Sequence, residues 1–216
     1  MKAAFQESTL LPLIAVLIPT LGYTQGTFVY DQQSSDETYL GGASVGIRAG
    51  QPFGQSFTPV LSSVGFIRLY LSDDAFNSLG ATVFVNLRTN SITGPILASS
   101  APVVVPDHFI GPADFLFSTP VQVTPEVTYY FQPVIQSGDN FSVYAYNTFN
   151  YSRGMEFYQG AANPGFDLWF REGIVIPEPG TSAVLGLGLG LLAWRRRLFL
   201  WKRMGSPIKP GQPQFS

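Results

Sequence analysis

The chain has 216 residues, a formal net charge of −2 and a charged fraction of 12%, about half the usual share. It contains no cysteine and one histidine, which removes disulfides, thiolate metal sites, a cysteine nucleophile and histidine-rich metal chemistry. Between residues 25 and 176 twelve acidic residues face five arginines and no lysine, a balance of −7 that offers neither nucleic acid nor an anionic membrane surface a basic face.

At the start of the chain Lys2 precedes a short apolar run, Leu10 to Leu21, followed by Gly22, Thr24 and Gln25. That layout predicts a secretory signal peptide over residues 1–24, cut between Thr24 and Gln25. A buried core element is the weaker reading, because Pro19-Thr20-Leu21-Gly22 would break it.

Residues 25–173 predict one all-β domain, an antiparallel sandwich or jelly roll, and are enough for a single core. Ala81 to Arg88 alternates, with Val83, Val85 and Leu87 on one face and Thr82, Phe84, Asn86 and Arg88 on the other. Val64 to Leu71 behaves alike, with Ile67, Leu69 and Leu71 opposing Phe66, Arg68 and Tyr70. Further strands are predicted at Thr27 to Gln32, Gln55 to Thr58, Ile96 to Ser99, Val103 to Val105, Asp114 to Phe117, Thr128 to Ile135, Phe141 to Tyr146, Met155 to Tyr158 and Asp167 to Arg171. Turn signals separate them, among them Ser72-Asp73-Asp74, Gly111-Pro112, Ser137-Gly138-Asp139-Asn140 and Asn163-Pro164-Gly165.

Candidates for chemistry are few. His108 would need a buried carboxylate to orient it for nucleophilic catalysis, and its neighbour Asp107 points elsewhere if the segment is extended, so His108 reads as a loop residue. A glycosidase needs two carboxylates at a set separation, and Asp73, Asp74, Glu156, Asp167 and Glu172 are the acids that could supply them. No cofactor is implied; the one metal reading is calcium at the adjacent carboxylates Asp73 and Asp74, against a polar turn after a strand.

Aromatic residues carry the binding hypothesis. Tyr144 and Tyr146 share a face of one strand, Tyr151 and Tyr158 flank the next, and Trp169 is the only tryptophan before the tail. Exposed rings stack on sugar faces while Asn and Asp bond hydroxyls, which makes Tyr144, Tyr146 and Trp169 the glycan-binding candidates. Phe131, Phe157 and Phe170 read instead as sandwich core.

The tail has a distinct grammar. Pro177, Glu178 and Pro179 form a rigid, extended peptide. An uncharged run, Thr181 to Trp194, follows, and then Arg195, Arg196 and Arg197. If helical, the run rises about 21 Å at roughly 1.5 Å per residue. That is short of the roughly 30 Å hydrocarbon core, though arginine snorkelling and Leu198 to Trp201 extend it. The arginines would stay cytoplasmic. Gly186, Gly188 and Gly190 lack the preceding strand and following acid of a dinucleotide loop. The resulting division is a linker over 174–180, a transmembrane sorting helix with its basic cluster over 181–201, and a cytoplasmic tail over 202–216.

Pro177-Glu178-Pro179-Gly180-Thr181, the Gly/Leu/Ala run and the arginine triplet resemble the PEP-CTERM sorting domain of exported proteins in certain Gram-negative bacteria. The resemblance implies that Pro177, Glu178 and Pro179 are the recognition and processing site for exosortase, a membrane-embedded cysteine transpeptidase. Gln55-Ser56-Phe57-Thr58-Pro59, Val127 to Pro133 and Asp167 to Glu172 are similar to segments of such proteins whose bodies are carbohydrate-binding-module-like sandwiches. The expected protein is therefore non-enzymatic, anchored transiently in the inner membrane and then delivered to the cell surface or extracellular matrix. There it would contribute structure or adhesion to a polysaccharide layer; a carbohydrate-binding module is the alternative, and a polysaccharide hydrolase the weaker one.

Overall fold

Period-two burial builds the body strand by strand, and the computed structural model describes residues 26–34, 43–75, 77–146 and 151–177 with the single positions 188 and 190. Fourteen strands lie among them: β1 (Thr27–Gln33), β2 (Ala43–Gly46), β3 (Gly54–Phe57), β4 (Ser63–Asp73), β5 (Ala81–Thr89), β6 (Ile96–Ser99), β7 (Val103–Val105), β8 (Ile110–Gln122), β9 (Tyr129–Gly138), β10 (Phe141–Tyr146), β11 (Glu156–Tyr158), β12 (Ala161–Asn163), β13 (Asp167–Leu168) and β14 (Phe170–Ile176). On β5 the residues Val83, Val85 and Leu87 are fully buried, as the alternation predicts. Ile67, Leu69 and Leu71 do the same on β4.

Two antiparallel sheets result. The first runs β1-β14-β4-β10-β13, with β2 paired to β10 and β8 to β4. The second runs β12-β11-β3-β9-β5-β6, with β7 also on β5. The inner faces meet through Phe57 and Phe131 of the second sheet and Phe170 of the first, with ring centroids 6.0, 6.4 and 5.2 Å apart. Each such fully buried ring contributes on the order of 2–3 kcal/mol. Phe157, expected in this core, instead lies half-buried and packs edge to face on Tyr130 at 5.5 Å. Glu156 and Tyr158 flank it on β11 and take the opposite face, so the pleat turns Phe157 away from them.

Several elements differ from the sequence pattern. β8 is thirteen residues long because Pro112 and Pro120 are exposed on a strand paired on one side only, where a missing N–H costs no ladder bond. β2 and β12, three or four residues each, carry no apolar run of their own. β14 continues to Ile176, so the stretch expected to be linker from residue 174 begins as strand, and Gly26–Ile176 is one compact unit.

β1 pairs with β14 so that Thr27 sits opposite Ile176. The first and last residues of the body thus share one corner of a sheet. A register shift at Asp31 interrupts the ladder, and at Gly173, φ 158°, a Cβ would collide with the Val29 carbonyl. Only glycine allows that approach. The expected signal peptide over 1–24, most of the sorting helix over 181–201 and the tail over 202–216 lie outside the described residues. Gly188 and Gly190 are helical and exposed. No helix among the described residues is long and apolar enough to cross a membrane.

Candidate functional site

A hairpin with a tight turn organises the most unusual side chains of the body. Gln159 and Gly160 both take positive φ, 51° and 77°, the two-residue turn that suits strand twist, and join β11 to β12. Glu156 therefore faces Asn163, and Tyr158 faces Ala161. Glu156 is 1% exposed; its Oε2 accepts from Asn163 Nδ2 at 2.9 Å, while Oε1 has no partner among the described residues. Burial pushes its carboxyl above the usual range, Asn163 opposes that, and the Asp167 charge adds to it.

Asp167 on β13 is buried too, but both of its oxygens are used. Oδ1 accepts from Gln55 Nε2 and Oδ2 from the Tyr151 backbone, each at 2.7 Å. Burial still lifts its carboxyl above the ordinary value, against those two bonds. Between β2 and the hairpin lies a cleft of about 340 Å³ lined by Val45, Gly46, Glu156, Tyr158, Asn163 and Phe166, among others. Tyr158 is 38% exposed at its side.

A second buried acid, Glu172, points inward from β14. It is fully buried, neither oxygen finds a hydrogen bond of good geometry, and burial followed by the Asp31 charge pushes its carboxyl up to about 9. Asp31 itself is committed: its Oδ2 accepts from the Val60 and Leu61 backbones at 2.8 Å. Beside them the Tyr151 hydroxyl accepts from Thr58 N–H at 3.2 Å and donates to Gln32 Oε1 at 2.9 Å, and burial pushes that phenol up to about 12.

Asp73 and Asp74 behave differently. Asp73 accepts from the backbones of Ala75 at 3.0 Å and His108 at 2.8 Å. Asp74 Oδ2 accepts from Asn140 Nδ2 at 2.7 Å and Ser142 Oγ at 2.6 Å. Their lone pairs face N–H and O–H donors in a turn, and among the described residues no three His, Cys, Asp or Glu side chains group to hold a metal. Contrary to the extended-segment expectation, Asp107 reaches His108: residues 107–108 turn, His108 has φ 59°, and its Nδ1 lies 2.5 Å from Asp107 Oδ2. The imidazole is 57% exposed, so the pair sits on the surface.

The three aromatic candidates fall on the outer face of the first sheet, but two of them are closed. Tyr146 and Trp169 are each 1% exposed, and Tyr144 alone is half-open. They belong to a ladder of rings and cations: Arg68 lies 4.9 Å from Phe28, Arg171 lies 4.9 Å from Tyr30 and 5.4 Å from Trp169, and Tyr70 meets both Trp169 and Tyr144 edge to face. Arg68 also binds Asp114 with Nε and Nη2. Tyr146 and Trp169 are therefore closed to a ligand, and Tyr144 keeps a part-exposed ring whose edge-to-face partner is Tyr70.

At the end of the body Pro177 is exposed directly after β14. Glu178, Pro179 and Arg195, Arg196 and Arg197 lie outside the described residues. Residues 175–197 match the PEP-CTERM protein-sorting motif. No curated protein and no solved structure matches the chain. The match covers the Pro-Glu-Pro element, the apolar run and the arginine triplet in one span, and supports an exported protein that is a substrate of exosortase. That processing implies a membrane partner. This motif is legible in the sequence; the convergence of Glu156, Tyr158 and Asn163 is not, and its one sequence signal is the Gln159-Gly160 turn between two short extended segments.

Proposed function

We propose that this chain is a non-enzymatic surface or matrix protein whose sandwich is carried through the inner membrane, held there by its tail and released by exosortase to a polysaccharide layer. The sorting motif at 175–197 carries the reading, since it begins inside the last strand and leaves no spacer between folded body and recognition peptide. The acidic, lysine-free body adds to it: such a surface stays soluble and is repelled by anionic lipid once the anchor is cut. Three of the five candidate acids are consistent with it. Asp73 and Asp74 are committed to turn donors and Glu172 is sealed between the sheets, so no exposed pair of acids flanks a substrate groove among them.

Replacement of Pro177, Glu178 and Pro179 together by alanine tests the proposal by cell fractionation. The native chain is expected at the cell surface or in the medium, and the variant in the inner-membrane fraction with its tail intact. Equal release of both chains would overturn it.

A further inference from the structure

We propose that the cleft between β2 and the β11–β12 hairpin binds an uncharged, hydroxyl-bearing sugar ring, with Tyr158 as stacking platform and Glu156 and Asn163 as hydrogen-bond partners. This deepens the surface-protein reading by giving it a ligand class, and it shares no residue with the sorting motif, so the two fail separately.

The backbone sets the arrangement. Glu156 and Tyr158 are two residues apart on β11 and share a face, about 7 Å from one another along the strand. Asn163 lies across from Glu156, and Ala161, a small residue, lies across from Tyr158 and leaves its ring uncovered. Tyr158 packs against Gly50, where an added Cβ would approach Tyr158 Cδ2 to 3.1 Å, so the ring is seated rather than loose. The cleft volume of about 340 Å³ falls at the lower end of small-molecule sites.

The chemistry of the lining selects the ligand. An apolar occupant would offer no partner to the polar side chains of the lining, Glu156 and Asn163. An anion would meet the Glu156 carboxyl, and no arginine or lysine is among the lining residues to compensate. A calcium ion needs six to eight oxygens, whereas Glu156 is the one acid among the lining residues and its Oε2 already accepts a hydrogen bond. A hydroxyl group meets the remaining demand, because it can donate to Oε1 or accept from a protonated Glu156. An aromatic ring beside a directional polar pair is the combination that recognises a sugar, apolar on its face and polar at its rim.

The test is titration of the exported protein with short neutral oligosaccharides, followed by nuclear magnetic resonance and calorimetry. Resonances of Tyr158, Ala161 and Asn163 are expected to shift. Tyr158→Ala should weaken binding about tenfold or more, whereas Tyr158→Phe keeps the stacking face and stays within about threefold. Glu156→Gln, which preserves shape and polarity, should bind within about threefold of native. Tyr144→Ala, on the outer face of the first sheet, should leave affinity unchanged. Absence of binding by the native chain, an unchanged affinity in Tyr158→Ala, loss of binding in Tyr144→Ala, or binding of calcium ions in place of sugar would each overturn the assignment.

Discussion

Two acidic regions of the same sandwich solve the problem of a carboxylate in opposite ways. At the turn after β4, Asp73 and Asp74 each collect two N–H or O–H donors, and the charge is used to fix loops. Inside the body, Glu156 and Glu172 are more deeply buried and lack donors for three of their four oxygens. The second arrangement disfavours the ionised form, and burial raises both of its carboxyls. The difference teaches that an acid's value to the fold lies in its donors rather than its charge, and that acids which cost stability are where to seek a ligand.

The largest expected effect breaks the interior side of the comparison. The Glu172 carboxyl is raised from 4.5 to about 9, so the folded state holds a proton that the unfolded chain has released. Its contribution is complete below about pH 4.5 and is lost as pH rises towards about 9, with a slope approaching 1.4 kcal/mol per pH unit. Urea unfolding across that range should show the decline, and Glu172→Gln should flatten it. A native chain with constant stability there would refute the assignment.

Next comes the turn. Asp73→Ala orphans the N–H groups of Ala75 and His108 and should cost about 2–4 kcal/mol, read as a lower urea midpoint at unchanged slope. Tyr151→Phe removes a hydroxyl that bridges Thr58 and Gln32 between the sheets, and should cost about 1–2 kcal/mol in the same assay. The smallest effect belongs to Arg153→Ala, whose ion pair with Glu126 is solvent-exposed; its thermal midpoint should match the native one. A large loss there would mean that surface charge matters more than donors.

Much of the fold was legible because burial on one face imposes period two: β6, β7 and β10 match their predicted bounds, and β5 extends its prediction by one residue. β8 was truncated at its start because Gly111-Pro112 reads as a turn, and only the pairing shows that the strand runs on through Pro112 and Pro120. β2 and β12 were missed because their residues are small or polar; β2 is held by a partner distant in sequence, Val143 for Val45, and β12 is a three-residue arm of a short hairpin, with Asn163 opposite Glu156. The outer face misled for a related reason. Alternation puts Tyr144 and Tyr146 on one face, yet it cannot reveal that Tyr70 packs on Tyr144 and Trp169 or that Arg171 lies over Trp169. The sorting motif was legible throughout, since its recognition depends on local sequence order and not on tertiary contacts.

Export and sorting through residues 175–197 is the claim on which the rest depends. The intact mass of the extracellular protein, taken from cells with and without the sorting enzyme, tests it most directly. The account predicts a chain ending near Pro177 to Pro179 only when the enzyme is present. A chain extending to Ser216 in both preparations would contradict it.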